Sequence, residues 1–214
     1  VVVLAGLINS LKVVRKNIKD VKIVISGVGA AGVATAKLLI RYGAKNVIMV
    51  DTCGIIYQGR DNMNPIKVEL SKITNQKNQK GGVRDALRGA DIFIGLSAPN
   101  ILTEEDIKCM GKDAIVFAMS NPIPEIMPER AKSGGAKIIA TGRSDYPNQI
   151  NNVLVFPGIF RGALDYKIRT ITDDHKMAAA KAIAGLIKKP KSGKIIPEAL
   201  DKRVMKAVAS VFKK

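Results

Sequence analysis

Short, unbroken apolar runs recur along the chain and alternate with longer amphipathic or polar stretches. Val21 to Ser26 (VKIVIS), Asn46 to Asp51 (NVIMVD), Asp91 to Leu96 (DIFIGL), Ala114 to Met119 (AIVFAM), Lys137 to Ala140 (KIIA) and Val153 to Phe156 (VLVF) all follow this pattern. A continuous apolar run, rather than a strict alternation, is what a strand covered on both faces requires. The intervening segments are long enough for crossover helices. The pattern therefore predicts an α/β fold, a doubly wound, mainly parallel sheet with helices on both faces and helical flanks at either end.

The flanks carry a helical period. In VVVLAGLINSLKVVRK, Val1, Leu4, Leu7 or Ile8, and Leu11 share one face, which predicts a leading helix within 1–20. This helix begins with neither an initiator Met nor an N-cap residue, so the sequence is read as a fragment whose upstream portion has been removed or left out. Between the second and third runs, 52–90 reads as loop, a short helix opened by Pro65, the polar piece TNQKNQKGG and a further turn of helix. The polar piece has no apolar period and is expected to be an exposed loop. Beyond Asp165, Thr172 caps a helix with Asp173 and Asp174 in its first turn, and KKPKSGK breaks it. Leu200, Val204, Ala207 and Val211 then mark a terminal amphipathic helix. The expected organisation is one domain: the leading helix (1–20), a core (21–165) and a helical tail (166–214). The first helix and the tail are expected to leave apolar surface exposed.

Composition narrows the class. With 214 residues, 47% apolar content and no low-complexity tract, the chain is globular. Aromatics are scarce and Trp is absent, so the core is expected to be aliphatic. Cys53 and Cys109 read as reduced, buried thiols without metal-ligand spacing. The longest apolar stretches fall short of the ~20 residues of a membrane span, which gives a soluble, cytoplasmic reading without a membrane partner. The formal charge of +17 raises a rival reading, a basic nucleic-acid-binding module. Against it, the basic residues are dispersed, and neither a helix-turn-helix or zinc pattern nor a row of stacking aromatics is present.

Candidate chemistry begins at Gly27-Val28-Gly29-Ala30-Ala31-Gly32, a GxGxxG set between a strand and the helix VATAKLLIRYG. Here glycines permit a tight turn, approach of the backbone to a pyrophosphate and close helix packing, while the helix N-terminus offers free N–H groups. Asp51 ends the next strand, where a carboxylate accepts hydrogen bonds from adenosine ribose hydroxyls. It favours NAD over NADP, although Arg60 and its basic neighbours can still neutralise a 2'-phosphate. Two loops follow strand ends, Ser97-Ala98-Pro99-Asn100 and Ser120-Asn121-Pro122-Ile123-Pro124-Glu125. The proline holds Asn121 extended at the mouth of the crevice. In Thr141 to Asp165, Asn148, Asn151 and Asn152 are either turn formers or amides that grip a small polar ligand. His175, the lone histidine, reads as solvated, and Asp173 and Asp174 as helix N-terminal charges. Ser26 and Ser97 have no partnering base nearby in sequence.

Taken in order, VVVLAGL, ISGVGAAGVATAKLL, IMVDTCGII, GADIFIGLS, IVFAMSNPIPEI, TGRSDYPNQINNVLVFPGIFRGALD and KMAAAKAIAGL resemble the NAD(P)-binding domain of malic enzymes of the smaller bacterial or archaeal type. The resemblance covers nearly the whole chain. FAMSNPxPE and SDYPNQxNNVLxFPGIFRGALD are its specific parts, since the glycine motif fits many dehydrogenases, including an amino-acid dehydrogenase. It implies a Rossmann-like fold and an enzyme that oxidises L-malate with NAD(P)+ and decarboxylates the product to pyruvate and CO2, using Mg2+ or Mn2+. It further implies that Gly27 to Gly32 hold the pyrophosphate and Asp51 the ribose. Ser97 and Asn121 then belong to the cofactor side, and Asn121 and Asn152, with Asn151 as the neighbouring alternative, to the substrate. The tyrosine acid, lysine base and metal ligands of such enzymes belong to an amino-terminal domain, and none maps here. The chain is therefore expected to contain no catalytic or metal residue, to bind NAD(P), not to turn over malate alone, and to form a homo-oligomer, a dimer, in the full-length protein.

Overall fold

The structure is a computed structural model that describes residues 1–213. It separates into two compact units: one spans Lys16–Gly142, and the other joins Val1–Arg15 to the chain from Arg143 onward. Helix α1 (Val2–Val14) opens the chain in the second of these.

In the first unit, β1 (Lys22–Ser26), β2 (Asn46–Asp51), β3 (Gly54–Ile55), β4 (Ile92–Gly95), β5 (Ile115–Ala118) and β6 (Ile138–Thr141) form a sheet. Among the described residues it has six strands in the order β3-β2-β1-β4-β5-β6, parallel except for the short hairpin strand β3. Five of the six runs read from the sequence are strands. The order reverses between β1 and β4, and their C-terminal ends lie in register, with Ser26 opposite Gly95. In such sheets, ligands bind where the order reverses, outside the carboxyl ends of the strands.

Helices α2 (Ala30–Tyr42), α3 (Pro65–Ile73), α4 (Val83–Leu87), α5 (Glu104–Lys108) and α6 (Pro128–Ser133) make the crossovers. Val24, Ile48, Val50, Phe93 and Val116 of the sheet pack with Ala86 and Leu87 of α4, Ile107 of α5 and Ala131 of α6. The alternate strand residues Ile23, Ile25, Met49, Ile94 and Phe117 are buried as well, as double coverage of the sheet demands. The polar piece departs from expectation at its start, where Thr74 and Asn75 are buried. The Asn75 amide donates to the carbonyls of Ile56 and Gln79 at 2.9 and 2.8 Å and accepts from the Gln79 N–H. A side chain that satisfies backbone groups of two segments can be buried without any apolar period. Both cysteines, expected buried, are free and exposed.

The second unit is helical: α1, α7 (Phe156–Asp165), α8 (Asp173–Gly185) and α9 (Lys202–Ala209). Val153 to Phe156 is not a strand. Asn151 caps a single 3-10 turn over Asn152–Leu154, and Phe156 and Pro157 open α7. A four-residue apolar run fits a strand or a buried helical turn equally well, and a proline in the first helical turn sacrifices no hydrogen bond. Without that strand, 143–165 groups with the leading helix and tail, whereas the expected core boundary was 165.

The apolar face of α1 is covered: Leu4, Leu7 and Leu11 are buried, and the helix packs on α8. Exposed apolar surface lies on the tail, at Leu200 and Met205, and, unexpectedly, on α7, where Phe156, Phe160 and Leu164 form a stripe at helical spacing. The tail helix also shifts register. Asp201 caps α9, which leaves Leu200 outside at 88% exposure and buries Val204 and Val208, with Phe212 of the following 3-10 turn, instead of Ala207 and Val211. Thr172 caps α8 as expected, accepting from the His175 N–H. Among the described residues no helix is long and apolar enough to cross a membrane.

Candidate functional site

The glycine turn shows why each glycine is there. Gly27 follows β1 with φ +112°, a conformation that L-residues rarely adopt, and its N–H donates to the Val50 carbonyl at 2.8 Å. A Cβ on Gly27 would run into the Leu96 carbonyl, and one on Gly32 into the Gly27 carbonyl, so the first turn of α2 lies directly on the turn. Around Gly29, the N-cap of α2, a Cβ would meet nothing within 4 Å. No side chain caps α2 and its first turn holds no acidic residue. The backbone N–H groups and the positive end of the helix dipole are thus available to an anion, which fits a pyrophosphate.

At the end of β2, Asp51 is heavily engaged. Arg60 grips it in bidentate fashion, Nη1 to Oδ1 at 2.9 Å and Nη2 to Oδ2 at 2.6 Å. Lys67 Nζ lies 2.7 Å from Oδ2, and the Cys53 N–H donates to Oδ1 at 2.8 Å. Burial alone would raise this carboxyl, but the hydrogen bonds from Arg60, Lys67 and Cys53 outweigh it and hold Asp51 well below the usual carboxylate range. The same contact raises Arg60. Two cations against one carboxylate leave this corner with a charge of about +1, so the repulsion of a 2'-phosphate expected from Asp51 alone is cancelled. Asn64 sets Lys67 in place by capping α3: its Oδ1 accepts the Lys67 N–H at 2.9 Å, with Pro65 in the first helical turn.

A cavity of about 400 Å³ opens at this edge. Gly27, Val28, Asp51 and Ser97, all expected from the sequence, line it together, and Val50, Val83 and Ile101 provide apolar wall. Ala30 and Ala31 lie exposed in the first turn of α2, and Gly32 is buried beneath it, contributing through packing. Asn121 stands after β5 at the same sheet edge. The bond to Pro122 is cis, and the Asn121 amide lies against Gly142, where a Cβ would approach it to 3.2 Å. Sequence reasoning missed Lys67, Val83 and Ile101. The Asn64-Pro65 helix start was legible, but the return of its third residue to Asp51 has no sequence signal.

The asparagines of the second unit separate by role. Asn148 is buried and structural: Nδ2 donates to the Ser192 carbonyl at 2.7 Å and Oδ1 accepts the Ile195 N–H at 3.0 Å. Asn151 caps the 3-10 turn through the Val153 N–H, while the adjacent Asn152 is exposed. Asn121 belongs to one compact unit, and Asn151 and Asn152 to the other. His175 completes the Thr172 cap and packs its ring against Phe212, tilted by 43° with ring centroids 4.7 Å apart. Asp173 and Asp174 occupy the first turn of α8. Among the described residues no group of three or more His, Cys, Asp or Glu side chains is placed to hold a metal ion.

A glycine turn feeding an uncapped helix at the reversal of a parallel sheet is the arrangement of a dinucleotide-binding domain. Comparison with known proteins narrows this class. The chain belongs to the malic enzyme family, matching over residues 1–213 the family model described as malic enzyme, NAD binding domain. It is 51% identical to the NAD-dependent malic enzyme of Geobacillus stearothermophilus over 97% of this chain and 44% of that one. To the NADP-dependent malic enzyme of Halomonas elongata it is 43% identical, over 96% of this chain and 48% of the relative. The crystal structure of malic enzyme from Pyrococcus horikoshii superposes with a TM-score of 0.94 at 47% identity, covering 99% of this chain and 51% of the other. The chain spans about half the length of the curated relatives it matches. Family membership sets aside both the amino-acid dehydrogenase and the nucleic-acid readings.

Proposed function

We propose that this chain supplies the NAD(P)-binding part of an enzyme that oxidatively decarboxylates L-malate to pyruvate and CO2. The observation that carries the reading is the anion-ready turn from Gly27 to Gly32 opening onto the cavity that Asp51 and Ser97 line. The N–H groups of Val28 to Gly32 hold the pyrophosphate. Asp51 and Lys67 face the adenosine ribose, and the apolar wall of Val50, Val83 and Ile101 suits adenine. Ser97 and Asn121 orient the nicotinamide side. When bound, the nicotinamide supplies the hydride acceptor. Asn152 serves the substrate in preference to Asn151, whose side-chain oxygen is committed to the Val153 N–H. This chain's own residues bind and orient; the proton-transferring and metal-binding groups come from elsewhere in a cytoplasmic homo-oligomer, a dimer.

Because Arg60 and Lys67 neutralise Asp51, the reading includes NADP beside NAD. The test is fluorescence titration of the purified chain with NADH and NADPH, alongside absorbance at the nicotinamide band with malate and Mg2+ or Mn2+. Saturable binding of reduced cofactor without malate-dependent reduction is expected. Absence of binding, or turnover of malate by these 214 residues alone, would overturn the proposal.

A further inference from the structure

We propose that the buried carboxylate of Glu125 is a positioning residue that holds the two strand-end loops carrying Ser97 and Asn121 in place before any cofactor arrives. Glu125 is fully buried and does not line the cavity. Its Oε1 accepts the Ser97 N–H and its Oε2 the Ser120 N–H, each at 3.0 Å, so one side chain joins the loop after β4 to the loop after β5. The main chain doubles the link: the Asn100 N–H donates to the Pro124 carbonyl at 3.0 Å and the Leu102 N–H to the Glu125 carbonyl at 3.1 Å. Space for the carboxylate exists because residue 95 is glycine; a Cβ there would lie 2.6 Å from both carboxylate oxygens. From Ser97 the link continues to β1, since its hydroxyl lies 2.9 Å from that of Ser26, the residue before Gly27. The carboxylate thus ties the ends of β4 and β5, and Ser97 carries the link across the reversal to β1.

A buried carboxylate carries a desolvation penalty, so an apolar residue of similar size would pack at less cost. Such a residue would leave two N–H groups without acceptors, and a neutral amide could accept from one while opposing the other. A charged acceptor makes hydrogen bonds roughly twice as strong as a neutral one. Loops fixed beforehand need not be ordered when the ligand binds, which raises affinity without a new contact.

The inference rests on the cavity being the cofactor site. Amide hydrogen exchange and NADH titration of the chain and of Glu125→Gln test it. In the unmodified chain without cofactor, the Ser97 and Ser120 amides should be as protected as those of β4 and β5, and NAD+ should change them little. In Glu125→Gln their exchange should quicken, with β1 and β5 still protected, while the Kd for NADH rises on the order of tenfold, the equivalent of about 1.4 kcal/mol. A folded Glu125→Gln that binds NADH with unchanged Kd overturns the proposal. So does free exchange of both amides in the unmodified chain until NAD+ is added, a result that decides the matter even if the variant does not fold. Failure of the unmodified chain to bind NADH would refute the cofactor reading instead, with the exchange data still reporting on Glu125.

Discussion

Replacing Lys67 with methionine should change which dinucleotide the chain prefers while leaving its fold intact. Lys67 is 22% exposed, lines the cavity and places its ammonium 2.7 Å from Asp51, whose side chain is 8% exposed and is also held by Arg60 at 7% exposure. With both cations present the corner is net positive by about one charge. In Lys67→Met the side-chain length is retained and that charge falls to about zero. Two unit charges 4 Å apart interact by about 1 kcal/mol in bulk water and about 4 kcal/mol at the effective dielectric of a protein surface. NADPH should therefore lose between about fivefold and several hundredfold in affinity relative to NADH, at 1.4 kcal/mol per factor of ten. The lost ion pair should lower stability by no more than about 1 kcal/mol, because Lys67 is partly solvated and Arg60 still grips the carboxylate. Fluorescence titrations with both reduced cofactors, at low and high salt, measure the ratio, and urea unfolding checks the fold. An unchanged NADPH to NADH ratio, or an equal loss for both, would refute the assignment of the 2'-phosphate corner to Lys67.

Three further outcomes follow from named contacts. Asp51→Asn should lower stability by about 3–5 kcal/mol at neutral pH, since it leaves the buried Arg60 guanidinium uncompensated. Because the Asp51 carboxyl is held below its usual range, its contribution is fully present above the unfolded value of about 3.9 and fades as pH falls toward the folded value. The gap between parent and variant in urea unfolding should accordingly narrow in acid and stay flat from about pH 5 to 7. Asn148→Ala should cost about 1–3 kcal/mol by stranding the Ser192 carbonyl and the Ile195 N–H, with NADH affinity unchanged, as a structural amide requires. Converting Phe156 and Leu164, 63% and 76% exposed, to serine should reduce binding of a hydrophobic dye and shift stability by only about 0.5 kcal/mol per site; an unchanged dye signal would count against the α7 stripe as the exposed apolar surface.

The sequence by itself determined most of the local elements and where the candidate residues fall among them. Five apolar runs became the strands β1, β2, β4, β5 and β6, because a parallel strand covered on both faces needs an unbroken apolar run. The glycine turn and Asp51 could be placed at the ends of β1 and β2 for the same reason, since a strand, a turn and a helix are adjacent there in the chain. VLVF was misread because four apolar residues fit two periods, and packing into a helical unit chose between them. What only the tertiary structure decided is which side chains meet across the loops. Lys67 turns back onto Asp51, the Glu125 carboxylate reaches Ser97 28 residues away, and Asn148, Asn151 and Asn152 divide into strut, cap and exposed amide. Hydrogen bonds and ion pairs act over about 3 Å in space, whereas periodicity reports only burial along one element, so partners contributed by different elements leave no regular trace in the chain.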